Sequence, residues 1–154
     1  MNHNIKSGMK SEGEIIFDSL LDALNQDADA VVALFHPDTQ VIFPYAKSLG
    51  TTEKMNFGEW YSYLRGGLPN MPNIKFDQPK VFKVDTHTYW AEIYGETTVP
   101  TTGKVYKQNW VMFFTLEDGK IKFYKEYWDP YAVLQAFSDN SEDAVRAIFN
   151  TGNE

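Results

Sequence analysis

The sequence predicts an α+β fold in which a curved antiparallel sheet wraps around helices from the first half of the chain. Apolar residues recur at helical spacing up to about residue 64 and alternate with polar residues from about residue 74 onwards. Asp118-Gly119, between two long alternating segments, is a turn signal for an antiparallel hairpin. A sheet curved around helices encloses a conical cavity, which is a usual place for a small-molecule site.

Length and composition favour one domain without a metal or cofactor. The chain has 154 residues, and we divide it into a flexible polar segment, residues 1–10, and a single domain, residues 11–154. Aromatic residues make up 16% of it, which favours a core or cavity lined with rings. The absence of cysteine excludes disulfides and thiol nucleophiles, and the three histidines show no metal-ligand spacing.

The charge and hydropathy of the sequence argue against nucleic-acid and membrane partners. The net charge is −7 and no basic cluster is present, so we expect no nucleic-acid partner. Residues 1–10 lack the apolar core of a signal peptide, and no apolar run is long enough to span a membrane. We therefore expect a cytoplasmic protein with no membrane partner.

Helical spacing dominates the first half. Ile16, Leu20 and Leu24 lie four residues apart on one helix face. His36-Pro37 breaks a second, short helix, and Thr51 or Thr52 would cap a third, whose apolar stripe includes Trp60. The predicted elements are helices over Ser11–Asn25, Asp27–Phe35 and Thr52–Leu64, and a strand over Gln40–Tyr45.

Strand patterns dominate the second half. Asp129-Pro130 ends the last strand and begins a helix, with Asp129 as its N-cap and Pro130 at its first position. The predicted elements are strands over Ile74–Asp77, Lys80–Asp85, Thr88–Val99, Val105–Glu117 and from Gly119 to Trp128, and helices over Tyr131–Phe137 and Glu142–Phe149.

Glu126 is the residue most suited to chemistry. Tyr124, Glu126 and Trp128 share one face of the last strand, because successive side chains alternate. If that face is the inner one, Glu126 is a carboxylate between two aromatic rings. Its charged form then loses hydration and its pKa rises.

The register of the last hairpin decides what lies opposite Glu126. A two-residue turn at Asp118-Gly119 would place Val111 opposite Glu126, whereas a three-residue turn with a glycine bulge would place Trp110 there. In either register both faces of the hairpin carry large apolar residues. Helices can cover one face, and a second subunit is the natural cover for the other, so we expect a homodimer.

Two stretches carry a resemblance to a known family. LFHPDTQVIFPYA, residues 34–46, and DGKIKFYKEYWDPYAVLQAF, residues 118–137, resemble the SnoaL-like group of the nuclear-transport-factor-2-like superfamily. Within it, Phe43–Ala46, Glu126–Pro130 and Ala132–Leu134 most resemble phenazine-biosynthesis A/B-type proteins. The resemblance spans about Ile15–Phe137.

The resemblance implies a conical, cystatin-like α+β barrel, a deep pocket, dimers and acid–base chemistry without a cofactor. Glu126 matches the acid–base carboxylate that several members place on the last strand. Thr88–Val99 lacks the Arg of the superfamily's epoxide hydrolases, which argues against epoxide hydrolysis. Leu68–Asn73 lacks the His that the phenazine proteins pair with their Glu, so the phenazine reaction does not follow.

Three interpretations of Glu126 remain open from the sequence. It is the catalytic residue of an isomerase, polyketide-cyclase or dehydratase type of enzyme on a hydrophobic cyclic substrate. Alternatively, the protein is a non-catalytic hydrophobic-ligand-binding protein, or Glu126 is a surface residue paired with Lys107 or Lys125. Glu92 would raise the pKa of Glu126 if both faced one cavity, and Tyr94 would donate to a developing oxyanion. The candidate substrate-binding residues are Tyr45, Trp60, Glu92, Tyr94, Trp110 and Trp128.

Overall fold

Four helices and a curved, seven-stranded sheet form the fold in the computed structural model, which describes residues 8–138. The helices are α1 (Glu12–Leu24), α2 (Ala28–Val32), α3 (Phe57–Gly67) and α4 (Pro130–Phe137). The strands are β1 (Phe35–Ile42), β2 (Lys54–Met55), β3 (Lys75–Phe76), β4 (Lys80–Lys83), β5 (Thr88–Thr98), β6 (Val105–Glu117) and β7 (Lys120–Tyr127). The predicted helix over Glu142–Phe149, and residues 1–7 of the predicted flexible segment, lie outside the described residues.

The sheet confirms the α+β class, but it is mixed rather than wholly antiparallel. Its strand order is β2-β1-β7-β6-β5-β3, with β4 also paired to β5. The β1–β7 pair is parallel, while β5, β6 and β7 form the expected antiparallel meander. The direction of β1 was not readable from the sequence, because its partner lies about 80 residues away and no turn joins them.

The core lies between the helices and the concave face of the sheet. Phe17 of α1 stacks on Phe114 of β6 with 6.0 Å between ring centroids, and Phe114 stacks on Tyr89 of β5 at 5.5 Å. The exposed face of α1 carries its polar residues together with Ile15. None of the helices within residues 8–138 is long and apolar enough to cross a membrane.

Two predicted helix boundaries were wrong. The second helix ends at Val32, and His36-Pro37 lies within β1 instead of breaking a helix. Proline is tolerated there because the β1–β7 ladder is interrupted between Phe35 and Gln40, so the missing N–H costs no ladder bond. Phe35 is thereby placed in the core against Tyr124, with ring centroids 5.5 Å apart.

The third helix begins later than predicted, and its cap is neither Thr51 nor Thr52. Residues 54–55 pair with β1, and Asn56 caps α3. The Asn56 Oδ1 atom accepts from the Glu59 N–H at 2.9 Å, and the Glu59 carboxylate accepts from the Asn56 N–H at 3.0 Å. This reciprocal capping box outcompetes a single threonine cap, since it satisfies two backbone donors at once.

Neither predicted hairpin register is correct along the whole of β7. The turn has two residues, with Glu117 paired to Lys120, and Asp118 and Gly119 both have positive φ, 51° and 71°. A bulge after Ile121 then adds one residue to β7 and places Met112, instead of Val111 or Trp110, opposite Glu126. Because of the bulge, Ile121 and Tyr124, three residues apart, both point into the core.

We predict that Gly13→Ala lowers stability. A Cβ atom at Gly13 would collide with the ring of Tyr89, which is itself fixed by Phe114. Such overpacking costs about 1–3 kcal/mol, which exceeds the gain in helix propensity of about 1 kcal/mol. Urea unfolding measures the effect.

Gly66→Ala in α3 is the matched control, because nothing lies within 4 Å of its added Cβ atom. It should be neutral or slightly stabilising. Equal unfolding free energies for the two variants would contradict the close α1–β5 packing.

Candidate active site

A cavity of about 490 Å³ lies between α3, α4 and the concave face of the sheet. Three of the predicted ligand-binding residues line it: Trp60, Trp110 and Trp128. Glu126 lines it as well, so the face of β7 that carries Glu126 is the inner one. Most of the remaining wall is apolar, including Phe43, Leu49, Leu64, Leu68, Met71, Ile74, Phe76, Met112, Val133 and Phe137.

Glu126 is the sole carboxylate among the described residues that line this cavity, and they include no Lys, Arg or His. Its Oε1 atom accepts from the Tyr124 hydroxyl at 2.9 Å, and that tyrosine is only 2% exposed. Lys107 is exposed and Lys125 lies over the Tyr127 ring at 5.5 Å, so neither pairs with Glu126. The interpretation of Glu126 as half of a surface ion pair was therefore wrong.

The position of Glu126 raises its pKa. Burial away from water raises the pKa of this carboxyl from 4.5 to about 7, opposed by the hydrogen bond from Tyr124. Both protonation states are then populated near neutral pH. A group with this property can take a proton from one atom of a bound molecule and return it to another.

Two further tyrosines, which sequence analysis missed, line the cavity together with the polar residues Thr51, Ser62 and Asn70. Tyr63 of α3 is 42% exposed at the cavity wall, where its ring stacks on Trp60 at 5.8 Å. Burial and the nearby charge of Glu126 raise the pKa of Tyr63 to about 12. The signal available in the sequence was the spacing of Tyr63 from Trp60, three residues, which places both on one helix face.

Tyr106 of β6 is oriented by a buried amide. Gln108 is 1% exposed, and its Nε2 atom donates to the Tyr106 hydroxyl oxygen at 2.9 Å and to the Asp129 carbonyl at 3.0 Å. Its Oε1 atom accepts from the Asp129 N–H at 2.9 Å. Gln108 thereby ties the start of α4 to β6, and desolvation raises the pKa of Tyr106.

Three predicted site residues lie elsewhere. Glu92 and Tyr94 are on the outer face of β5, since the inner face carries Ala91, Ile93 and Gly95, and the Tyr94 hydroxyl donates to Glu96 at 2.6 Å. They cannot act with Glu126 as expected, because the sheet separates them. Tyr45 is 47% exposed and packs on the outer-face residue Tyr127 at 5.6 Å.

His36, Glu117 and Asp118 lie close enough together to share an ion, at the hairpin turn and away from the cavity. Glu117 already contacts His36 at 3.3 Å and Lys122 at 3.2 Å. The expectation that the protein uses no metal and no cofactor stays a prediction.

We predict that Glu126→Gln raises stability above pH 7. Between pH 4.5 and about 7 the Glu126 carboxyl holds a proton in the folded protein that it has released in the unfolded chain. The free energy of unfolding of the wild-type protein therefore falls as the pH rises through this range, and the loss is complete above it. The variant removes the charge and keeps the shape. The gain is at most about 3 kcal/mol at pH 8 and vanishes near pH 4.

Melting curves at pH 4 and pH 8 measure this difference. Glu92→Gln is the matched control, because it makes the same substitution at an exposed position on the outer face of β5 and leaves the cavity unchanged. A lower melting temperature for Glu126→Gln at pH 8 would contradict an unpaired cavity carboxylate.

Comparisons with known proteins agree with this architecture. The crystal structure of a candidate isomerase from Bacillus subtilis superposes with a TM-score of 0.73 and 26% identity, covering 83% of this chain and 96% of that one. A phenazine biosynthesis-related protein from Pseudomonas aeruginosa has a TM-score of 0.64 and 22% identity, covering 86% and 88%.

The sequence comparisons point the same way. An uncharacterized PhzA/B-like protein from Pseudomonas aeruginosa is 26% identical over 124 residues, which are 80% of this chain and 87% of that protein. The sequence profile of the SnoaL-like domain matches residues 17–124. The fold is therefore of the nuclear-transport-factor-2-like type, and the chain belongs to the SnoaL-like domain family.

Proposed function

We propose that this protein is a cofactor-free acid–base enzyme that moves a proton within a hydrophobic, ring-bearing small molecule. The observation that carries the proposal is the position of Glu126, an unpaired carboxyl in an aromatic cavity with a pKa of about 7. The reaction is of the isomerase, cyclase or dehydratase type, and Glu126 is the catalytic residue. Trp60, Trp110 and Trp128 bind the rings of the substrate.

The proton transfer needs no group beyond Glu126. The ionised carboxylate takes a proton from a carbon next to a carbonyl group, and the electron pair of the C–H bond moves into the carbonyl to form an enolate. The protonated carboxyl then returns the proton to another carbon, which isomerises the substrate, or to a departing hydroxyl, which dehydrates it. A carboxyl pKa near the working pH suits both directions of transfer.

We predict that the wild-type protein accelerates exchange of α-hydrogens with solvent deuterium in enolisable ring ketones. Proton NMR in buffered D₂O follows the loss of the α-hydrogen signal for a panel that includes 1-tetralone and cyclohexenone. General acid–base catalysis by one group is worth about 10²–10⁴-fold, and Glu126→Gln should remove that acceleration.

Glu92→Gln is the control, because it removes a carboxylate from the outer face and leaves the cavity unchanged. It should exchange the panel as fast as wild type. Exchange no faster than buffer across the panel would favour the non-catalytic ligand-binding protein. Equal exchange by wild type and Glu126→Gln would remove Glu126 from the mechanism.

We also propose that the protein is a homodimer through the outer face of its sheet. Half-buried rings cover this face: Trp90 packs on Phe113 at 5.9 Å and on Tyr127 at 6.3 Å, and Phe113 packs on Phe123 at 6.2 Å. An apolar surface of this kind is more stable when a second copy covers it. A cytoplasmic location stays a prediction from the sequence.

We predict a dimer at micromolar concentration in sedimentation equilibrium and a monomer for Phe113→Glu. Ile15→Glu, at an exposed position of α1, is the control and should remain dimeric. A monomeric wild-type protein would contradict the proposed interface.

A further inference from the structure

The two oxygens of the Glu126 carboxyl have different surroundings. Oε1 accepts the hydrogen of the Tyr124 hydroxyl at 2.9 Å, whereas Oε2 has no hydrogen-bond partner among residues 8–138. Oε2 is not sealed in the protein either, because the fully buried side-chain atoms that lack a partner in this part of the chain are Thr39 Oγ1 and Trp60 Nε1. Since Glu126 lines the cavity, Oε2 is the oxygen that a bound molecule can reach.

Tyr124 itself cannot touch a molecule in the cavity. It is only 2% exposed and does not belong to the cavity lining. Its ring lies edge-on to Phe35, with 5.5 Å between ring centroids, and 6.2 Å from the ring of Trp60. This packing fixes the position of the hydroxyl, so Tyr124 can act on a substrate only through Glu126.

The hydrogen bond also decides which oxygen of Glu126 carries the proton when the carboxyl is neutral. A tyrosine hydroxyl has one hydrogen to donate, and within residues 8–138 the acceptor for it is Oε1. A proton on Oε1 would leave this buried hydrogen without an acceptor, which is unfavourable. The proton of the neutral carboxyl therefore lies on Oε2, on the side of the cavity.

We propose, building on the proposed function, that Tyr124 is a positioning residue whose hydroxyl holds Oε1 of Glu126, so that Oε2 takes the proton from the substrate and returns it. The O–H bond on Oε2 forms as the C–H bond of the substrate breaks, and it breaks again when the proton is returned. Tyr124 keeps its own proton throughout, because burial raises the pKa of its hydroxyl well above the ordinary value.

The same hydrogen bond sets the pH range in which Glu126 works. A hydroxyl donates more strongly to a carboxylate than to a neutral carboxyl, so Tyr124 opposes the rise in the pKa of Glu126 that burial causes. The other titratable groups that face Glu126 are Tyr63 from α3 and Tyr106 from β6, and burial raises the pKa of both. The remaining described lining, including that from α1, α4 and residues 43–51 and 68–76, has no titratable side chain. Loss of the Tyr124 hydroxyl should therefore raise the pKa of Glu126 further.

Tyr124→Phe tests the proposal, because it keeps the ring and removes the hydroxyl. In a carboxyl ¹³C NMR titration of the glutamate-labelled protein, we expect the midpoint of Glu126 to move up by about one pH unit. The pH of half-maximal deuterium exchange should move with it. Tyr63→Phe is the matched control, since this cavity tyrosine donates no hydrogen bond to Glu126, and it should leave the midpoint near that of wild type. An unchanged or lower midpoint in Tyr124→Phe would overturn the proposal, even if its stability falls.

Infrared spectroscopy at pH 5 tests which oxygen carries the proton. A hydrogen bond to a carbonyl oxygen lowers the C=O stretching frequency. The band of protonated Glu126, assigned by its loss in Glu126→Gln, should therefore move to higher frequency in Tyr124→Phe. A band that stays in place would mean that Tyr124 does not hold the carbonyl oxygen, which contradicts the proposal.

The wild-type protein supplies a test that needs no variant of Tyr124. The ¹³Cζ signal of Tyr124, assigned through its ring contacts with Phe35 and Trp60, should shift with the same midpoint as Glu126. A signal that does not respond would overturn the proposal. These titrations use no substrate, so a wild-type protein that exchanges no deuterium would contradict the proposed function, while the midpoints still decide the role of Tyr124.

Discussion

The properties of the candidate site depend on one partly compensated burial, that of the Glu126 carboxyl. Its hydrogen-bond partner within residues 8–138 is the Tyr124 hydroxyl, and no basic side chain contacts it there. A neutral hydrogen bond offsets only part of the hydration that a carboxylate loses on burial, so the protonated form gains population. Burial of this kind costs stability at neutral pH, and proteins retain it where function requires it.

A backbone bulge and a side-chain amide position that carboxyl. The bulge after Ile121 shifts the register of β7 by one residue, which brings Tyr124, Glu126 and Trp128 to the concave face opposite the β6 residues that line the cavity. The Gln108 amide then fixes the end of this strand through both the N–H and the carbonyl of Asp129. Because the same amide donates to Tyr106, the position of α4 and the orientation of a cavity hydroxyl are coupled.

Local patterns in the sequence predicted much of this arrangement. The bounds of β6 and the N-cap at Asp129 follow from alternation and capping, and the structure confirms them. Alternation also placed Tyr124, Glu126 and Trp128 on one face of the last strand but left open whether that face is the inner one, as it is in the structure. The sequence could not show which face of β5 points inwards, because both of its faces carry large side chains. Glu92 and Tyr94 were therefore wrongly placed in the cavity. The parallel β1–β7 pair and the bulge were also missed, since each depends on contacts between distant parts of the chain.

The central claim is that Glu126 is a cavity carboxyl shared between its two protonation states at neutral pH. A carboxyl ¹³C NMR titration of the glutamate-labelled protein measures this directly, with the signal of Glu126 assigned by its loss in Glu126→Gln. We predict a midpoint at about pH 7 for this one signal, well above the ordinary glutamate pKa of about 4.3. A midpoint for Glu126 at that ordinary value would contradict the account.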